Sequence, residues 1–121
     1  MTQVTRKDAL GYHLLIEFHG CSPRIIADSD KIEQILLRAA KISKAHVVKS
    51  FFHKFNPHGV SGVIVISESH FTIHTWPEHK YAALDIFSCS KGLDLTAMLE
   101  YLKKKLKPKA VSMVELKRGI V

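Results

Sequence analysis

Cysteine is scarce in this chain, with Cys21 and Cys89 the two among 121 residues. They have no paired spacing, so they form neither a disulfide framework nor a Cys-x-x-Cys motif and read as thiols in a reducing compartment. Long apolar runs are also missing. Val63-Ile64-Val65-Ile66 is typical, and a membrane span needs about 20 such residues in succession. The apolar stretch after Met1 to Asp8 is broken by His13, Glu17 and His19, which leaves no signal-peptide core. A cytoplasmic protein with no membrane partner is expected. Acidic residues are few as well, 11 Asp+Glu against 18 Lys+Arg, for a formal net charge of +7. Much of that excess is local, because Lys103, Lys104, Lys105 and Lys107 gather where a predicted helix ends and cations complement its macrodipole. Arg and aromatic residues are not interleaved as on a stacking platform for single strands. No nucleic-acid partner is therefore expected, and a basic nucleic-acid-binding domain stands only as the alternative from a different class.

What is present is enough for a single domain, 1–121, with one core. A chain of this size barely walls off a deep site alone, so self-association would help to build one. Tyr12, Leu14, Ile16 and Phe18 alternate with polar residues as in a strand, and Ile32, Ile35, Leu36 and Ala39 repeat at helical spacing behind a cap at Asp30. Strands follow over His46 to Phe55, Val63 to Ile66, Phe71 to Trp76 and Tyr81 to Cys89, separated by turn signals at Asn56 to Gly59 and Pro77 to Lys80. Three of these strands are expected to meander in sequence. Leu95, Met98, Leu99, Leu102 and Leu106 share one face of a helix closed by Pro108, and Ala110 to Leu116 is the last strand. The order β-α-β-β-β-β-α-β predicts an α+β fold, a two-layer α/β sandwich with a mainly antiparallel sheet and two helices on one face.

Polar residues crowd between Ser61 and Cys89, and three chemistries compete for them. A metal site would use His70, His74 and His79, but His70 and His74 lie about 13 Å apart on an extended strand, too far for one tetrahedral ion. No metal is expected. A Ser or Cys89 activated by a histidine lacks any nucleophile-elbow signature, and a lone cysteine at a strand end is more often a small buried hydrophobe. The third reading turns a serine on its own backbone. Glu68-Ser69 sits between two strands, with His74 as a base and Ser61 as an oxyanion donor among its sequence neighbours. Composition alone does not choose among these.

The string GVSGVIVISESHFTIHTWPEHKYAALDIFSC, from Gly59 to Cys89, resembles the prokaryotic S-adenosylmethionine decarboxylases, small pyruvoyl-dependent enzymes of polyamine synthesis. The resemblance extends from Gly11-Tyr12-His13 and Glu17-Phe18 to Val114-Glu115, with no departure at the motif positions. It implies self-cleavage at Glu68-Ser69 into a β chain, 1–68, and an α chain, 69–121. Ser69 would attack the Glu68 carbonyl and convert the amide to an ester. By the same resemblance, His74 removes the Ser69 α proton, Ser61 steadies the cyclic intermediate, and Ser69 ends as the pyruvoyl cofactor. That group would form a Schiff base with S-adenosylmethionine and act as the electron sink that decarboxylation needs. Cys89 matches the proton donor to the α carbon, Phe55 a residue that stacks on adenine, and Glu78 one that binds ribose hydroxyls. The product would be the aminopropyl donor for spermidine. The family's sites lie at a dimer interface, so a homodimer is expected, and arginine is the alternative substrate within the pyruvoyl enzymes. His70, next to the scissile serine, is read as structural or solvated.

Overall fold

The computed structural model describes residues 9–90 and 92–120, so Met1 to Asp8, read above for a leader, lie outside the described residues. Six strands form one sheet: β1 (Ala9–His19), β2 (Val47–Lys54), β3 (Val60–Ile66), β4 (Ser69–Trp76), β5 (Tyr81–Ser88) and β6 (Ala110–Ile120). Their order is β2-β3-β4-β5-β1-β6, and the pairs are antiparallel. Four consecutive strands meander, β2 through β5, one more than the turn signals suggested. The α+β two-layer reading holds.

The helices are α1 (Pro23–Ile26), α2 (Ser29–Ile42) and α3 (Leu95–Leu106). The single turn α1 lacks a periodic apolar pattern long enough to see in the sequence. Asp28, not Asp30, caps α2, its carboxylate accepting from the Lys31 N–H at 3.1 Å, while Asp30 lies in the first turn. Both positions suit an acid, since the helix N-terminus attracts negative charge over its whole first turn. Asp94 caps α3 through the Ala97 N–H at 3.0 Å, and the left-handed Lys107 ends it just before Pro108.

Strand periodicity sorts the sheet into two faces. Leu14, Ile16 and Phe18 of β1, Ile64 of β3, Phe71 and Ile73 of β4 and Leu84 and Ile86 of β5 are buried with Ile32, Leu36, Met98 and Leu102 of the helices. Thr75 joins that core as a polar tie. Its hydroxyl donates to the Ile26 carbonyl at 2.7 Å and accepts from the Val60 N–H at 2.9 Å, linking α1, β3 and β4. Cys21 is buried too, and burial pushes its thiol up to about 11. On the other face, among the described residues, no helix covers the sheet. Phe51, Val65, Trp76, Val114 and Leu116 lie there, each more than 40% exposed.

Candidate active site

The uncovered face carries two groups of polar side chains, one at each end of β3 and β4. The first surrounds the hairpin Ser67-Glu68, which joins the paired residues Ile66 and Ser69. Ser69 also pairs with Ser88 of β5, so the residue after β5 arrives beside the hairpin. That residue is Cys89, and its backbone N–H donates to the Glu68 carbonyl oxygen at 2.9 Å. The Glu68 carboxylate is held from the far side by the His46 N–H at 3.1 Å and the His46 ring Nδ1 at 2.7 Å, which keeps it below the usual carboxylate range. Ser69 itself has φ +152°. A non-glycine residue in such a conformation costs on the order of 1–3 kcal/mol and persists only where its surroundings enforce it.

These features fit a peptide link prepared for attack by its own serine. The Cys89 N–H polarises the carbonyl and faces the oxygen on which negative charge develops. A cavity of about 660 Å³ opens here, lined among others by Gly11, Ser69, His70, Phe87, Cys89 and Arg118. The Cys89 side chain is exposed, within reach of a ligand in that cavity.

The second group lies at the other end of the same strands. Ser61 and His74 face each other across β3 and β4, Ser61 Oγ standing 2.7 Å from His74 Nδ1. Phe55 follows β2, 47% exposed, with the His53 ring at 4.6 Å. Glu78 occupies the 3-10 turn Pro77–His79 that follows Trp76. His74 is five residues from Ser69 along β4, about 16 Å at about 3.3 Å per residue. Within one chain, therefore, the structure brings Glu68, Ser69 and Cys89 together and brings Ser61 and His74 together, but does not join the two groups.

The S-adenosylmethionine decarboxylase family model matches residues 12–119. The chain belongs to this family. It is 48% identical over 113 residues to an S-adenosylmethionine decarboxylase proenzyme of Pyrococcus furiosus, covering 93% of this chain and 81% of that one. A proenzyme of the same name from Thermotoga petrophila is 51% identical over 111 residues, covering 92% of this chain and 85% of the relative. The crystal structure of the adenosylmethionine decarboxylase from Aquifex aeolicus superposes with a TM-score of 0.86 at 32% identity, covering 94% of each chain. A Trypanosoma brucei AdoMetDC monomer shares the fold at 15% identity and a TM-score of 0.63, covering 86% of this chain and 45% of that longer one.

Several residues around the candidate site carry no signal in the sequence. The backbone donor at Cys89 follows from β4–β5 register, and His46 reaches Glu68 from 22 positions away. Beside the hairpin, His13 Nε2 stands 3.5 Å from Asp85 Oδ1, while Thr72 donates to Asp85 at 3.1 Å. The rings of His13 and His70 meet edge to face at 6.2 Å. Burial, the neighbouring His13 and Arg118 together hold His70 below the usual histidine range, opposed by Asp85. His70 is thus part of the cavity wall, where the sequence reading made it structural or solvated. Among the described residues no three His, Cys, Asp or Glu side chains converge as a metal ion requires.

Proposed function

We propose that this chain cuts itself at Glu68-Ser69, converts Ser69 to a pyruvoyl group and uses it to decarboxylate S-adenosylmethionine in polyamine synthesis. The observation that carries the self-cleavage is the Glu68 carbonyl held at 2.9 Å by the Cys89 N–H next to a serine at φ +152°. The Ser69 hydroxyl gives up its proton and attacks the Glu68 carbonyl carbon. As the C–N bond breaks, the amide becomes an ester and the Ser69 amine is freed. His74 then takes the α proton of Ser69, the ester C–O bond breaks, and Glu68 departs as a carboxylate. Water hydrolyses the resulting enamine with loss of ammonia, leaving residues 1–68 and a blocked chain of residues 69–121. The pyruvoyl carbonyl supplies an electron sink for the α carbon that loses carbon dioxide. Cys89 delivers the proton that replaces it, Phe55 stacks on the adenine, and Glu78 accepts hydrogen bonds from the ribose. Arginine as substrate and nucleic acid as partner are not favoured, since the matched relatives are S-adenosylmethionine decarboxylases.

The working unit is a homodimer of cleaved protomers. His74 and Ser61 are too far from Ser69 in their own chain, and both groups lie on a face that exposes Phe51, Trp76 and Leu116. A two-fold contact sets the same patch against itself. Stacking two uncovered faces with their strands reversed lays the Ser61–His74 end of one copy on the Ser69–Cys89 end of the other, buries the apolar side chains and closes the site. Each catalytic centre then takes Ser69 and Cys89 from one protomer and Ser61, His74, Phe55 and Glu78 from its partner. No helix among the described residues is long and apolar enough to cross a membrane. Both cysteines are free thiols, and we place the activity in the cytoplasm, whose reducing conditions suit them.

Intact mass spectrometry of the denatured protein tests the reading. Two fragments meeting at Glu68 and Ser69, the second without a free N-terminal amine, are expected, together with carbon dioxide release from S-adenosylmethionine. One full-length species that persists on warming overturns it.

A further inference from the structure

We propose that Arg118 is the residue that binds the α-carboxylate of the substrate, an assignment that rests on the Ser69 site proposed above. Arg118 comes from β6 and lines the same cavity as Ser69 and Cys89. Among the described residues no carboxylate pairs with it. Its contact is with the Phe87 ring, whose centroid lies 5.5 Å from the guanidinium carbon.

That contact has a structural origin in Gly11, which pairs directly with Arg118 across β1 and β6. A Cβ at position 11 would lie 2.6 Å from the Phe87 ring, so only glycine leaves the ring room to lie over β1. The guanidinium rests on that ring with its fork of donors free. A planar cation stacked on an aromatic face loses less freedom on pairing than a lysine would, and it matches a carboxylate in two parallel hydrogen bonds.

The ligand must present a carboxylate at this place. An amino acid whose amine condenses at residue 69 carries its carboxylate on the adjoining carbon, within the same cavity. Arg118 is the fixed cation there, because His70, the other basic side chain in the wall, is held toward its neutral form by burial and by the neighbouring His13 and Arg118. Asp85, the nearby acid, is already engaged by Thr72 and His13. The guanidinium thus selects an α-amino acid over the corresponding amine, which favours departure of the decarboxylated product.

The test compares S-adenosylmethionine with its carboxamide, which keeps the amine and the nucleoside but not the anionic group. In the processed enzyme, the concentration at which borohydride captures half of the 69–121 chains is read by mass for each ligand, alongside KM and kcat for the substrate. Arg118→Gln is expected to raise the substrate's half-capture concentration and KM about tenfold or more, as loss of a charged hydrogen bond does. The carboxamide's value should stay within about twofold. Equal shifts for both ligands, or none for the substrate, overturn the assignment while self-cleavage leaves the site reading intact. A wild-type chain that never cleaves overturns the site reading itself. If Arg118→Gln prevents cleavage, Arg118→Lys is read by the same ratio: a selective loss for the substrate supports the assignment, and an unchanged ratio overturns it.

Discussion

The backbone N–H of Cys89 donates to the carbonyl oxygen of Glu68 at 2.9 Å, across the gap between the end of β5 and the β3–β4 hairpin. One residue is thereby tied to both stages of the chemistry through different atoms. In the proposed scheme its amide addresses the carbonyl that is broken during maturation, and its exposed thiol lines the cavity that would receive the substrate.

The two roles separate by substitution. Cys89→Ala keeps the N–H and removes the sulfur, so the chain is expected to cleave into the same two fragments while decarboxylation falls about a hundredfold or more, the scale of a lost general acid. Ser69→Ala removes the attacking hydroxyl and should remain a single chain. Denaturing mass spectra and carbon dioxide release read the pair of outcomes. An uncleaved Cys89→Ala chain would move the thiol into the processing step.

Mixed dimers decide which protomer serves which site. When chains bearing Ser69→Ala and His74→Ala are produced together, each mixed dimer with a shared site contains one complete set, Ser69 of the His74→Ala chain with His74 of the other. Cleavage is then expected in the His74→Ala chain alone, up to one chain per mixed dimer. If His74 served its own chain, neither would cut. The mass difference between the two variants identifies the cleaved chain directly.

The strand alternations at Tyr12 to Phe18 and Phe71 to Trp76 made the sheet legible, because a period of two is enforced wherever one face is buried. The family was legible through the local string around Glu68-Ser69. What the sequence withheld is distance. Ser69 and His74 look like neighbours five letters apart, yet an extended strand sets them about 16 Å apart, while Cys89, twenty letters on, is brought against Glu68 by the register of β4 with β5. Arg118 was legible only as one more charge near the end of the chain. Its place depends on the pairing of β6 with β1 and on the side chain that Gly11 lacks.

Thr75 offers a stability test away from the chemistry. Thr75→Val preserves shape but strips hydrogen bonds from the buried Val60 N–H and the Ile26 carbonyl. An orphaned buried group costs about 1–3 kcal/mol, so the pair should lower stability by roughly 2–6 kcal/mol. The measurement belongs in a Ser69→Ala background, where one intact chain unfolds without dissociating into two fragments. A loss below about 0.5 kcal/mol would mean that water reaches both groups.

Cys21 predicts how the fold responds to alkali. The thiol is 1% exposed and donates weakly to the Phe18 carbonyl at 3.7 Å, and burial raises it from an ordinary 9.0 to about 11. An acid whose folded pKa is raised holds its protonated form more tightly in the folded state. Its contribution is complete below the unfolded value and is lost as pH rises through the folded one. For Cys21 that window runs from about pH 9 to about pH 11, with an amplitude of up to about 2–3 kcal/mol. Urea midpoints of the Ser69→Ala chain should therefore fall across this window, and additional Cys21→Ala should flatten the slope even though the smaller side chain lowers the midpoint at every pH. Parallel curves for the two chains would show that the thiolate finds water or a cation on folding, and that the seal formed by β1 and α1 around Cys21 is open.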